Sequence, residues 1–145
     1  MSTPGEFHVD ALLCDSVATA ENKLYVQGGG WNLLRAEGFP FVAPRIGVAL
    51  LVTVPWNATN LPHELTLGLY DDERQLSLGP GAGVGAGVLR APFTLGRPSH
   101  LTPGDTQLMP LAINLDGFGF GRPGGYSFRV EIDGHELANL DFRIL

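Results

Sequence analysis

Tyr126-Ser-Phe-Arg-Val-Glu-Ile-Asp-Gly-His-Glu-Leu-Ala-Asn-Leu-Asp-Phe-Arg-Ile-Leu145 is the stretch that decides the fold class. Tyr126, Phe128, Val130 and Ile132 alternate with Ser127, Arg129, Glu131 and Asp133. A period of two sends one set of side chains to a core and the other to water, which is the pattern of a half-buried strand. Asp133-Gly134 follows, a dipeptide that accepts the positive φ angles of a tight hairpin turn. The chain returns with Leu140, Phe142 and Ile144 apolar, and Asn139, Asp141 and Arg143 polar between them. The alternation runs to the last residue, so the chain is expected to end in a sheet strand. An antiparallel β protein follows.

The rest of the chain reads the same way. Phe7, Val9, Ala11 and Leu13 mark a first strand, and Asp15 to Asn22 reads as a polar connection. A second strand from Lys23 to about Leu34 changes phase at Gly28-Gly29-Gly30, where a β-bulge is expected rather than a glycine clasp around a ligand. Gly38 to Pro44 reads as a loop. Ile46, Val48, Leu50, Val52 and Val54 give the cleanest apolar face, and Ala49 and Leu51 make the other face apolar too. That predicts a central strand ended by Pro55. Leu65, Leu67 and Leu69 form a fourth strand, stopped by Asp71-Asp72-Glu73, and Gln75 to Leu78 is a short one. Gly79 to Gly87 is too rich in glycine for a regular element and reads as a flexible loop. Val88 to Leu95 contains Pro92 and therefore belongs at a sheet edge. Met109, Leu111, Ile113 and Leu115 mark another strand, after which Asp116 to Gly125 reads as turns. The expectation is one all-β domain over residues 1–145, an antiparallel two-sheet sandwich of immunoglobulin-like kind with about eight strands.

Composition excludes several classes of function. At 145 residues the chain can bury a core without metal or disulfide staples. Its net charge of −6 and scattered basic residues, Lys23 being the only lysine, argue against a nucleic-acid partner, whose phosphates need a basic patch. Cys14 is the single cysteine, which rules out an internal disulfide and a cysteine zinc cage. Its apolar neighbours point to packing rather than nucleophilic work. The opening residues lack the basic-then-apolar pattern of a secretion signal, and the longest apolar run, Ile46 to Trp56, is too short to span a membrane. A cytoplasmic address is expected, in a bacterium given the bias to Arg, Ala, Gly and Leu.

The motifs offer little chemistry. Gly81-x-Gly83-x-x-Ala86 nominally fits a dinucleotide fingerprint, but Val88-Leu89-Arg90-Ala91-Pro92 cannot open the helix that would hold the pyrophosphate. None of the five serines sits in a nucleophile elbow. His8, His63, His100 and His135 never occur at metal-ligand spacing and read as surface or loop residues. Asp71-Asp72-Glu73 could hold calcium, but with no second patterned acidic loop nearby it reads as a solvated turn. Trp31, Trp56, Tyr25 and Tyr70 could make a sugar-stacking platform, although core packing is the commoner fate of such residues.

One longer pattern resembles a family. Ala11-Leu-Leu-Cys-Asp-Ser-Val-Ala-Thr-Ala-Glu-Asn-Lys-Leu-Tyr-Val-Gln-Gly-Gly-Gly-Trp-Asn-Leu-Leu34, then Phe39-Pro40, His63-Glu-Leu-Thr-Leu67 and Gly125-Tyr126-x-Phe128, is similar to a bacterial family of unknown function. Asn22 stands where the family commonly has a turn glycine, and Cys14 where alanine is common. The resemblance implies a small β-sandwich with no assigned activity.

No catalytic residue, cofactor or metal is expected. The anticipated role is binding another protein, or a second copy of this chain, through an edge strand or loops. Trp56 and Asn57, Asp71 and Asp72, and Gly81, Gly83 and Gly85 are the loop residues singled out, since functional contacts concentrate on loops. The alternative is a small-ligand, carbohydrate or calcium-binding domain that uses Asp71, Asp72 and Trp56.

Overall fold

The structure is a computed structural model that describes residues 6–72, 75–76 and 88–145. Among these residues there is no α-helix. Eleven strands run in order: β1 His8–Cys14, β2 Ser16–Ala20, β3 Lys23–Gln27, β4 Leu33–Leu34, β5 Phe41–Val54, β6 His63–Tyr70, β7 Gln75–Leu76, β8 Leu89–Phe93, β9 Gln107–Phe120, β10 Gly124–Ile132 and β11 His135–Ile144. One turn of 3-10 helix, Trp56–Ala58, follows β5. The strands form a three-stranded sheet in the order β1-β5-β9, a six-stranded sheet in the order β4-β11-β10-β6-β7 with β8 also on β6, and a separate β2-β3 hairpin.

Both larger sheets feed one core. Ile46, Val48, Leu50, Val52 and Val54 of β5 meet Leu65, Leu67 and Leu69 of β6, Phe128 and Val130 of β10, and Phe142 and Ile144 of β11. These are the alternate residues that the sequence marked as inward. Burying a side chain such as Phe128, which is fully enclosed, stabilises the fold by about 1.5–3 kcal/mol. β5 is central, as its two apolar faces require: its other face places Ala49 under the β2-β3 hairpin with Cys14 and Val17. Asn114 pins that hairpin, accepting from the Val17 N–H at 3.1 Å and donating to the Val17 carbonyl at 2.8 Å. Cys14 is packing, as expected. A Cβ on Gly47 would lie 2.6 Å from its sulfur, and burial, then the charge of Asp15, push the thiol pKa up.

The closing hairpin forms as expected, from Gly124↔Ile144 to Ile132↔His135, with a register shift between Val130 and Glu131 that brings Phe128 opposite Leu140. Its two turn residues carry φ of 52° at Asp133 and 83° at Gly134, the positive pair of a two-residue hairpin turn. Among the described residues β8 pairs only with β6, which places Pro92 on an edge.

The structure corrects four expectations. Three sheets and eleven strands replace two sheets and about eight strands. The Asp15 to Asn22 connection contains β2, and Glu21 and Asn22, both at positive φ, make the turn into β3. Gly28-Gly29-Gly30 is no bulge: the chain leaves the small hairpin there and crosses to β11, where β4 pairs in parallel. Positive φ at Gly28 and Gly30 allows the crossing, and Gly30 donates to the Leu13 carbonyl at 2.8 Å. Finally, Phe41 to Pro44 and Asp116 to Phe120 are not loop or turn but the ends of the long β5 and β9, which pair from Phe41↔Phe120 to Val54↔Gln107.

Candidate functional site

Two places gather polar side chains. The first lies at one end of the core, below the 3-10 turn. His63, at the start of β6, is only 9% exposed and packs between Phe7 and Phe93, with ring centroids 5.0 and 5.4 Å away. Its Nδ1 is 2.6 Å from Oδ2 of Asp133, and its Nε2 is 2.7 Å from the Ala58 carbonyl. Both partners are acceptors, so satisfying both requires the imidazolium. Burial pulls the His63 pKa down, but the hydrogen bonds to Asp133 and to the Ala58 carbonyl outweigh it and leave the pKa raised above 6.5. Asp133 is lowered in turn, first by the hydrogen bond from His63. Its other oxygen accepts the Glu64 N–H at 3.0 Å, which ties the hairpin turn to β6. A His–Asp pair is also the basic half of a catalytic triad, but here the far nitrogen faces a carbonyl and not a hydroxyl. The group is a brace.

Trp56 belongs to the same end. Arg97 lies 3.8 Å over its ring and donates to the Trp56 carbonyl at 2.9 Å and to Thr59 Oγ1 at 2.8 Å. One face of the indole is therefore covered by the chain itself. Asn57 is exposed beside it. Trp31 packs edge-on against Phe142 at 6.2 Å, and Tyr25 is exposed on the β2-β3 hairpin. Among the described residues no ring contact joins any two of Trp31, Trp56, Tyr25 and Tyr70, so the structure does not assemble the stacking platform.

The second place is a groove of about 530 Å³ on the outer face of the six-stranded sheet. The register of β11, β10 and β6 sets its floor: Arg143 beside Gly125, and Asp141 beside Ser127 and Tyr70, with Arg129 two residues further along β10. Asp71 and Asp72 follow β6 directly and close one side. Asp71 is 6% exposed and pairs with Arg122 at 3.2 Å. Tyr70 lies over Gly68, where an added Cβ would come within 2.9 Å of the ring, and the Arg129 guanidinium stacks on Tyr70 at 4.0 Å. Asp72 and Arg143 are exposed at the mouth and make no ion pair with each other.

Asp71 and Asp72 are thus the two expected residues that the structure brings into a groove, and Trp56 is not with them. Gly81, Gly83 and Gly85 lie outside the described residues. No three His, Cys, Asp or Glu side chains converge as metal ligands among the described residues. Sequence reasoning missed Gly125, Arg129, Asp141 and Arg143, which looked like the polar half of the closing hairpin. A glycine interrupting that alternation was the only available signal. It missed the His63–Asp133 pair because 70 residues separate the partners.

Fold and sites define an all-β domain with a polar groove on one sheet. More narrowly, the chain belongs to the family of unknown function DUF6941, matched over residues 9–145. That agrees with the uncharacterised family resemblance seen in the sequence. No curated protein matches the chain. Among solved structures it is similar to the Pseudomonas fluorescens alkylpurine DNA glycosylase AlkC bound to DNA containing an abasic site analog, at 14% identity and a TM-score of 0.47. The alignment covers 97% of this chain and 30% of the glycosylase, so the chain spans under a third of that protein. No helix among the described residues is long and apolar enough to cross a membrane.

Proposed function

We propose that the protein is a non-catalytic assembly module, an immunoglobulin-like sandwich of the cytoplasm that pairs with a second copy of this chain through β9. One observation carries the reading: β9 is fourteen residues long and, among the described residues, its ladder pairs with β5 alone. A free edge of that length presents unpaired N–H and C=O groups to any incoming strand. Along it Met109, Leu111, Ile113 and Leu115 point toward the core yet stay half-buried, and Leu108 is 54% exposed. Self-association would cover them. The net charge of −6 favours a protein partner over nucleic acid. Both ring nitrogens of His63 are engaged, which favours a binding role over catalysis.

Light scattering on the full chain tests this. A defined multiple of 15.5 kDa is expected, returning to 15.5 kDa in Leu108→Lys, which places a charge on the edge. A wild-type mass of 15.5 kDa at micromolar concentration, or a multimer indifferent to Leu108→Lys, overturns the proposal.

A further inference from the structure

Gly125 lies one residue inside β10, on the solvent side of the sheet. Glycine in a strand interior costs about 0.5–1 kcal/mol relative to alanine, so its presence asks for a cause. Conformation does not supply one, since its φ lies outside the left-handed region. Packing does not either: a Cβ there would meet nothing closer than 3.7 Å. Gly68 and Gly47 are different, because a Cβ on either would collide with Tyr70 or Cys14. What surrounds the missing Cβ of Gly125 is a pair of opposite charges. Nη2 of Arg143 and Oδ1 of Asp72 are each 3.7 Å from that one point. Neither is used in an ion pair among the described residues, and Asp141 stands two residues before Arg143 on β11, on the same face. Glycine within a strand marks a bulge, a bend or the close approach of a ligand or another backbone, and the ladder is in regular register at Gly125.

We propose that the Gly125 notch binds a small zwitterion of the α-amino-acid type. Its carboxylate takes the Arg143 guanidinium, the planar donor suited to two oxygens, and its ammonium takes the Asp72 carboxylate, with Asp141 adding a second acceptor. One small molecule seated over Gly125 reaches both charges at once, whereas a plain anion or cation satisfies one and is repelled by the other. Such selection by paired attraction and repulsion is how charged sites discriminate. The inference is independent of the β9 proposal, since the notch lies on the other sheet.

Titration of the ¹⁵N-labelled protein with glycine, acetate and methylammonium, followed by amide shifts, is the test. Acetate and methylammonium are the two halves of glycine. Saturable shifts at Gly125, Ser127 and Arg143 are expected with glycine, and affinity at least about tenfold weaker with either half, because each half loses one charged hydrogen bond. Asp72→Asn and Gly125→Val should each weaken glycine at least about tenfold while leaving the rest of the amide spectrum intact. No saturation with glycine overturns the proposal, as does an equal response to one half alone or full binding by both variants. The mass measured by light scattering should be the same in Asp72→Asn and wild type, which keeps this outcome separate from that of the edge.

Discussion

The His63 brace and the Gly125 notch use the same chemistry, a carboxylate near a nitrogen cation, to opposite ends. At the brace each charge has its partner: Asp133 takes His63 and the Glu64 N–H, and His63 takes Asp133 and the Ala58 carbonyl. Aromatic rings exclude water from one side. At the notch Arg143 and Asp72 face a shared space and, among the described residues, form no ion pair across it. A charge pair whose members are saturated and whose histidine is buried holds a fold together, whereas exposed and unsaturated charges are available to something else.

The largest break in that comparison should come from His63→Ala. It removes two hydrogen bonds, leaves Asp133 without its cation and opens space between Phe7 and Phe93. A loss of about 3 kcal/mol is expected, read as a shift of the urea midpoint at unchanged slope. A loss below about 1 kcal/mol would mean the brace is incidental.

The two glycines sharpen the contrast more finely. Gly68→Ala drives a methyl into the Tyr70 ring and should cost about 1–3 kcal/mol, displacing the ring from Arg129. Gly125→Ala meets only ordinary contacts and should hold or raise stability by up to about 1 kcal/mol. Equal losses at the two positions would mean that Gly125 is kept for packing, which removes the reason to look for a ligand there.

How much of this was written in the sequence depends on range. The closing hairpin was legible because alternation and Asp133-Gly134 are local, and β5 because apolar residues on both faces demand cover on both. β2 was not legible: Ser16-Val-Ala-Thr-Ala20 buries only Val17, and its turn uses Glu21 and Asn22 where a glycine would have announced it. The triple glycine marked a real break, but whether a strand bulges or leaves its sheet is decided by distant β11. At the groove, Asp71 and Asp72 were visible as a cluster. Arg129, Asp141 and Arg143 were visible only as the water-facing half of a strand, since sheet register alone makes them neighbours of Asp72.

A smaller effect, though one that isolates charge from packing, is the pH dependence of the brace. Because the folded pKa of His63 is raised above 6.5, the folded protein holds that proton where the unfolded chain releases it. The resulting stability is complete below pH 6.5 and declines as pH rises through the folded value. Asp133 has its pKa lowered from 3.8, so its contribution is complete above pH 3.8 and fades as acid takes the folded carboxylate. Between these limits the brace is at full strength. Melting curves of wild type and Asp133→Asn should therefore differ most from about pH 4 to 6.5 and converge on the alkaline side. The comparison belongs in a His135→Asn background, which removes the second histidine whose charge lowers the Asp133 pKa. Packing against Phe7 and Phe93 does not titrate. A gap that stays constant from pH 5 to 9 would make the ring contacts the whole of the brace and the imidazolium irrelevant to it.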